Sequence, residues 1–72
     1  MIKRGSLVRL IDPDYDPSTE TYKLPTNREY AQERGLQFNV SYKVQSLTTC
    51  PGRLGLEGIV GDVETRRFKV SR

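Results

Sequence analysis

Apolar and polar side chains alternate strictly between residues 36 and 45, and this pattern constrains the fold more than any other feature of the chain. No α-helix places such a period-two set on one face, whereas an extended chain points successive side chains to opposite faces. Asn39 indicates a turn inside the run, because asparagine enters the left-handed region more readily than most residues. We therefore predict a half-buried strand that begins at about Val40, with Leu36 and Phe38 packing from outside it.

Three further stretches have the pattern of strands. The first covers residues 7–11, where the apolar residues do not alternate strictly, which indicates burial on both faces or a bulge near Arg9. The second covers residues 54–60, and a type II turn at Pro51-Gly52 is predicted to join it to a strand over residues 40–48. The last covers residues 67–71 and alternates. Its predicted inward residues are Phe68 and Val70, and its predicted outward residues are Arg67, Lys69 and Ser71.

Residues 12–35 separate the first strand from the alternating run, and they are predicted to form a loop followed by a short helix. Thr26 and Glu29 have the spacing of a capping box, in which each side chain accepts a hydrogen bond from the other residue's amide. Gly35 stands where a left-handed C-terminal cap is expected for a helix over residues 27–34. So short a helix is marginal in isolation, and an apolar residue must dock it. The candidates are Leu24, Tyr30 and Ala31.

The length of 72 residues indicates a single domain with a small core, because a chain this short buries only about 60% of its unfolded surface. Apolar residues are 35% of the chain, which suffices because they are concentrated in the predicted strands. The expected fold is mainly β. It is a small SH3-like barrel of four to five short strands with one short inserted helix, covering residues 1–72 with the insert at 12–35.

A known group of proteins shares the spacing that is formed here by a leucine, an asparagine, a Tyr-x-Val pair and a closing Arg-Phe pair. They are Leu36, Asn39, Tyr42, Val44, Arg67 and Phe68. This spacing resembles small SH3-like barrels of bacteriophages and mobile elements, with Asn39 at their glycine turn and the 12–35 insert as a departure. Residues 3–11 also resemble the first strand of SH3-like accessory subunits of cyanobacterial photosynthetic complexes. Both resemblances imply an SH3-like fold, neither implies a catalyst, and the first implies a phage-encoded protein.

The composition favours a protein that is not an enzyme. Histidine, the commonest general base and a favoured zinc ligand, is absent from the sequence. The spacing of Asp12, Asp14 and Asp16 could suit a hard cation, but an EF-hand loop also needs glycine at its sixth position and glutamate at its twelfth. Those positions hold Pro17 and Lys23. We therefore predict a solvated loop, with no catalytic residue, metal or cofactor.

Cys50 is the single cysteine of the chain and has no partner for an internal disulfide, which argues against a small secreted scaffold. It is expected to be a small turn residue, because no orienting base that would make it a nucleophile is evident. No apolar stretch exceeds two residues, far below the roughly 20 that span a bilayer. No apolar segment follows Lys3 and Arg4 as a signal peptide requires. We expect a cytoplasmic protein without membrane insertion.

The net charge of +3 is distributed unevenly. Residues 1–11 have three bases and no acid, residues 12–35 have six acids and three bases, and residues 36–72 have six bases and three acids. A basic frame is thus interrupted by an acidic insert.

The preferred functional hypothesis is a binding module that engages a protein partner through the acidic insert or a barrel edge. The insert is long for a loop in so small a domain, and tyrosine is enriched at interfaces. An exposed barrel edge could equally serve a homodimer. For Tyr30, docking of the helix is an equally good interpretation. The candidate contact residues are Tyr15, Tyr22, Tyr30, Glu29 and Glu33.

The alternative is a basic barrel that binds nucleic acid. Bases crowd both ends of the chain, and first and last strands often pair in such barrels, so the bases could form one patch. An outward Phe38 or Tyr42 could stack a base, but the alternation predicts that both face inward. The candidate residues are Lys3, Arg4, Arg9, Arg66, Arg67, Lys69 and Arg72.

Overall fold

The computed structural model describes residues 2–48 and 51–71. Within them lie five short strands, one α-helix and one 3-10 helix. In chain order these are β1 (Leu7–Leu10), α1 (Asn27–Arg34), β2 (Tyr42–Leu47), β3 (Arg53–Leu56), β4 (Asp62–Glu64), the 3-10 helix (Thr65–Arg67) and β5 (Phe68–Val70). The predicted fold class, mainly β with four to five short strands and one short inserted helix, is confirmed.

The five strands are antiparallel and form one sheet in the order β4-β3-β2-β1-β5. The first four strands follow one another as a meander, and β5 returns beside β1. Arg9 is directly opposite Lys69, and Val8 is opposite Tyr42 on one side and Val70 on the other. The first and last strands therefore pair, as the sequence predicts.

β1 is more regular than predicted. Val8 and Leu10 are buried, while Leu7 and Arg9 between them are exposed. This is the strict alternation of a strand with one face on the core and one face in solvent. The predictions of burial on both faces and of a bulge near Arg9 are wrong, because Leu7 and Ile11 do not enter the core at the two ends of the strand.

The alternating run is a strand in its second half only. Leu36 is buried, residues 38–39 form a turn, and Asn39 has a φ of 64°. The amide of Gln37 donates to the Tyr42 hydroxyl at 2.8 Å, which ties the loop to the first residue of β2. The predicted turn is confirmed, and the strand begins at Tyr42, two residues later than expected.

The predicted strand over residues 54–60 is confirmed for residues 54–56 and wrong for residues 57–60. β3 ends at Leu56, a turn follows at residues 57–58, and a separate strand, β4, begins at Asp62. Gly58 and Gly61 have φ values of 83° and 82°, a conformation in which an extended strand cannot continue. Pro51-Gly52 forms the predicted turn, and Cys50 lies outside the described residues.

The helix forms as the sequence predicts. The Thr26 hydroxyl accepts from the Glu29 amide, the Glu29 carboxylate accepts from the Thr26 amide, and Gly35 closes the helix with a φ of 70°. Tyr30 and Ala31 are the docking residues, since both are buried.

One small core is shared by the helix and all five strands. Its buried apolar residues are Val8, Leu10, Tyr30, Ala31, Leu36, Val44, Leu54, Leu56, Val63 and Phe68. Phe68 faces this core as predicted, but Val70 is 50% exposed. Val70 lies directly opposite the buried Val8 and so points to the inner side of the sheet, as predicted, but it remains half-exposed on the edge strand β5.

The outward prediction for Arg67 is wrong, because Arg67 is fully buried. Its Nη1 donates to the Pro25 carbonyl at 2.9 Å and to Asn27 Oδ1 at 3.1 Å, and its Nε donates to Glu64 Oε1 at 3.1 Å. The guanidinium carbon lies 4.2 Å from the centroid of the Tyr30 ring. This buried arginine therefore joins the insert to the 3-10 helix.

Asn27 completes the attachment of the insert. Its side-chain amide is buried and donates to the carbonyls of Ile11 and Arg67, both at 3.2 Å. The Tyr30 hydroxyl accepts from the Glu64 amide at 2.9 Å. Because these contacts satisfy buried polar groups, the insert is part of the folded body and not a free loop.

Candidate functional site

Three cations lie together on the solvent-facing side of β5, β1 and β2. Arg9 and Leu7 share the exposed face of β1, Lys69 is directly opposite Arg9, and Lys43 is directly opposite Leu7. Directly opposed residues of an antiparallel pair point to the same side of the sheet. We call Arg9, Lys43 and Lys69 the basic face.

The charges of the basic face are not neutralised within the described part of the protein. Neither Arg9, Lys43 nor Lys69 forms an ion pair with any residue of the ranges 2–48 and 51–71. Like charges placed directly opposite each other destabilise a sheet. The repulsion between Arg9 and Lys69 therefore lowers the stability of the fold. Because neither side chain has an ion-pair partner among the described residues, both are available to bind an anion.

A groove opens beside the basic face, at the end of β1. Its volume is about 380 Å³. The residues that line it include Arg9, Lys69, Phe38, Asn39 and Asp12. Phe38 is half-buried, since it packs against the core and also borders the groove. The groove thus combines two cations with an aromatic ring.

The sequence identified Arg9 and Lys69 but missed Lys43. The signal for Lys43 was present, because it occupies a polar position of the alternating run between two apolar residues. The sequence does not reveal the register between β1 and β2, which places Lys43 opposite Leu7.

The other predicted basic residues are dispersed. Lys3 and Arg4 are exposed in the turn before β1, and Arg4 lines a separate shallow pocket with Leu47. The Nε of Arg66 donates to Glu64 at 3.1 Å, and Arg67 is buried. Arg72 lies outside the described residues. Of the seven candidates, the register brings Arg9 and Lys69 directly together.

The loop carboxylates of the insert are used within the insert itself. Asp12 Oδ1 accepts from the Asp14 amide at 2.9 Å, and Asp14 pairs with Arg28 at 3.1 Å. Hydrogen bonds from the side chain and backbone of Ser18 hold the pKa of Asp16 below its ordinary value. These aspartates shape the loop by local hydrogen bonds, as is common for aspartate in turns.

The insert residues predicted to contact a protein partner have different environments. Tyr30 is 2% exposed, so it docks the helix and is not available to a partner. Tyr15 is half-buried, and Glu29 is occupied in the capping box. Tyr22 is 69% exposed. Glu33 is exposed beside a second groove of about 530 Å³ between the end of α1 and the loop that follows β3.

Glu64 is the carboxylate most affected by the buried network. Partial burial raises the pKa of Glu64, but hydrogen bonds from Arg66 and Arg67 outweigh it and hold the pKa below its ordinary value. The carboxylate is therefore ionised at neutral pH and serves as the counter-charge of the buried arginine.

Within residues 2–48 and 51–71, no three His, Cys, Asp or Glu side chains are grouped so that they could hold a metal ion. The α-helix α1 is eight residues long. Among the described residues, no helix is long and apolar enough to cross a bilayer.

The fold and this surface define a small mainly β protein with a basic sheet face. The chain matches no protein-family model, and no curated protein or solved structure is detectably similar to it.

Proposed function

We propose that this protein is a non-enzymatic binding module that binds nucleic acid through the basic face. The observation that carries the proposal is the direct opposition of Arg9 and Lys69, with Lys43 nearby, on one exposed side of the sheet. Arginine and lysine side chains without an ion pair bind phosphates and release counterions when they do so. Of the two functions that the sequence suggests, this is the one that the surface favours.

The state of the insert supports this choice. Asp12, Asp14, Asp16 and Glu29 all have hydrogen-bond or ion-pair partners within the insert. Asp14 pairs with a base and the other three accept hydrogen bonds from backbone amides, so these carboxylates have a role in holding the loop and helix. The cations of the basic face have no comparable role in the described structure.

A site with three phosphate contacts binds weakly and with a moderate dependence on salt. The slope of log affinity against log salt is expected to be about −2 to −3 for three contacts. A nonspecific dissociation constant in the range of about 10⁻⁴ to 10⁻⁶ M is typical at physiological salt. A cytosolic location fits this proposal, because nucleic acid and a reduced single cysteine are both ordinary there.

The test is fluorescence anisotropy with a labelled oligonucleotide between about 50 and 200 mM salt. The double variant Arg9→Gln with Lys69→Gln should lose most of the binding and flatten the salt slope. The matched control is Lys23→Gln with Arg53→Gln, which removes the same charge away from the basic face. If wild type shows no salt-dependent binding, or if both double variants lose it equally, the proposal is wrong.

A protein partner at the insert is a second candidate, favoured by the 69% exposure of Tyr22. Deleting the insert cannot test it, because the deletion would remove Asn27, Tyr30 and Ala31 from the interior. Tyr22→Ser is the appropriate variant. A protein captured in a nuclease-treated pull-down should be lost with Tyr22→Ser and retained with Lys23→Gln. Retention with both variants contradicts a role for the insert.

A further inference from the structure

The groove beside the basic face contains an aromatic residue in its wall, and phosphate binding alone does not account for that residue. Phe38 borders the same space as Arg9 and Lys69. The groove has a volume of about 380 Å³, within the range of about 300–1,000 Å³ that is typical of small-molecule sites. An aromatic wall next to two cations is the combination by which proteins hold a base and its phosphates.

Phe38 reaches the groove because of the local backbone. If residues 36–45 formed one strand, Phe38 would share the buried face of Val44, as the alternation predicts. The turn at residues 38–39, with Asn39 at a φ of 64°, breaks that alternation. Phe38 consequently packs on the core with part of its surface and borders the groove with another part.

Asp12 is the acidic residue among those that line the groove. It is exposed, lies at the groove wall and carries a negative charge that repels phosphate. Phosphates are therefore favoured next to Arg9 and Lys69. Phe38, Asn39 and Asp12 add a ring and hydrogen-bonding groups to the same groove, and these suit a base.

We infer that the groove accepts an unpaired base stacked on Phe38 while Arg9 and Lys69 hold the neighbouring phosphates, so that the preferred ligand is single-stranded nucleic acid. This inference rests on the proposed function and specifies its ligand. A duplex keeps its bases stacked on one another and presents only their edges. A single strand can turn a base out of its stack and into the groove.

The experiment compares a labelled single-stranded oligonucleotide with its duplex, using wild type, Phe38→Leu and Phe38→Tyr. Leucine keeps an apolar side chain on the core but removes the ring, and tyrosine keeps the ring. Wild type should bind the single strand more tightly than the duplex. Phe38→Leu should weaken single-strand binding by about 5- to 150-fold, the range for loss of one stacked base. Phe38→Tyr should retain it, and binding of the duplex should not change with either variant.

The outcomes separate this inference from the proposed function. Equal affinity for single strand and duplex, with no effect of Phe38→Leu, overturns the inference and leaves the proposed function intact. Equal weakening of both ligands by Phe38→Leu, without rescue by Phe38→Tyr, shows that Phe38 acts only on the fold and also overturns it. Absence of binding to either nucleic acid overturns both. Far-ultraviolet circular dichroism of each variant confirms that it is folded.

Discussion

Arg67→Met tests the buried network that attaches the insert. Methionine has a length similar to that of arginine and is apolar, so the variant removes hydrogen bonds without leaving a large cavity. The variant removes the hydrogen bonds that Arg67 Nη1 donates to the Pro25 carbonyl and to Asn27 Oδ1, and the one that Arg67 Nε donates to Glu64. Asn27 is fully buried, so water cannot replace the lost donor there.

The magnitude follows from the groups left without a donor. An unsatisfied buried acceptor costs about 1–3 kcal/mol, which applies to Asn27 Oδ1, and the half-buried Pro25 carbonyl adds about the lower end of that range. Glu64 keeps its bond to Arg66 and adds little. Removing the guanidinium also removes an unfavourable contribution, because the buried Arg67 Nη2 has no hydrogen-bond partner among the described residues. This gain in stability offsets part of the loss. We expect a loss of about 2–4 kcal/mol, a large share of the roughly 4–11 kcal/mol typical of a chain this size.

The assay is urea unfolding followed by circular dichroism and tyrosine fluorescence. With a slope of about 1 kcal/mol per molar, the midpoint should fall by about 2–4 M, or the variant should be unfolded without urea. Arg66→Met is the matched control, because it removes the same charge from the same carboxylate but its side chain is 51% exposed. Arg66→Met should cost less than about 1 kcal/mol. A loss below about 0.5 kcal/mol for Arg67→Met, or equal losses for both variants, refutes the reasoning.

Two further predictions concern charge. The folded pKa of Glu64 lies below its ordinary value of 4.5, so the stability it contributes is complete above that value and is lost as pH falls through the folded pKa. Urea midpoints measured from neutral to acidic pH should therefore fall less for Glu64→Gln than for wild type, and equal falls contradict this. Lys69→Glu should raise the free energy of unfolding by about 0.2–1 kcal/mol, because the new carboxylate attracts Arg9 directly opposite, whereas the lysine repels it. The same variant should abolish oligonucleotide binding in the anisotropy assay, and unchanged binding contradicts the role of the basic face.

Several elements could be predicted from the sequence because short-range interactions determine them. The capping box of Thr26 and Glu29 and the left-handed cap at Gly35 involve neighbours within one helical turn. The turn at Asn39 depends on the backbone preference of a single residue. The boundary between β3 and β4 was missed because the glycines that separate the strands also occur in strongly curved strands.

The candidate site was only partly predictable. Arg9 and Lys69 were identified as basic and near the chain ends, but Arg67 has the same local pattern and is buried. Nothing within a few residues of Arg67 indicates that Asn27, 40 positions away, supplies an acceptor in the interior. Phe38 packs against the core, in line with its predicted inward orientation, but the sequence does not show that it also borders a groove with Arg9 and Lys69.

The fold class, the short helix with its caps, and the excess of bases over acids can be predicted from the order of the residues alone. The tertiary structure decided which charges are available. It buried Arg67, engaged the insert aspartates, and aligned Arg9 with Lys69 across two strands that are distant in the chain. The physical reason is that helix caps and turns depend on neighbouring residues, whereas burial and cross-strand pairing depend on groups that only the folded chain brings together.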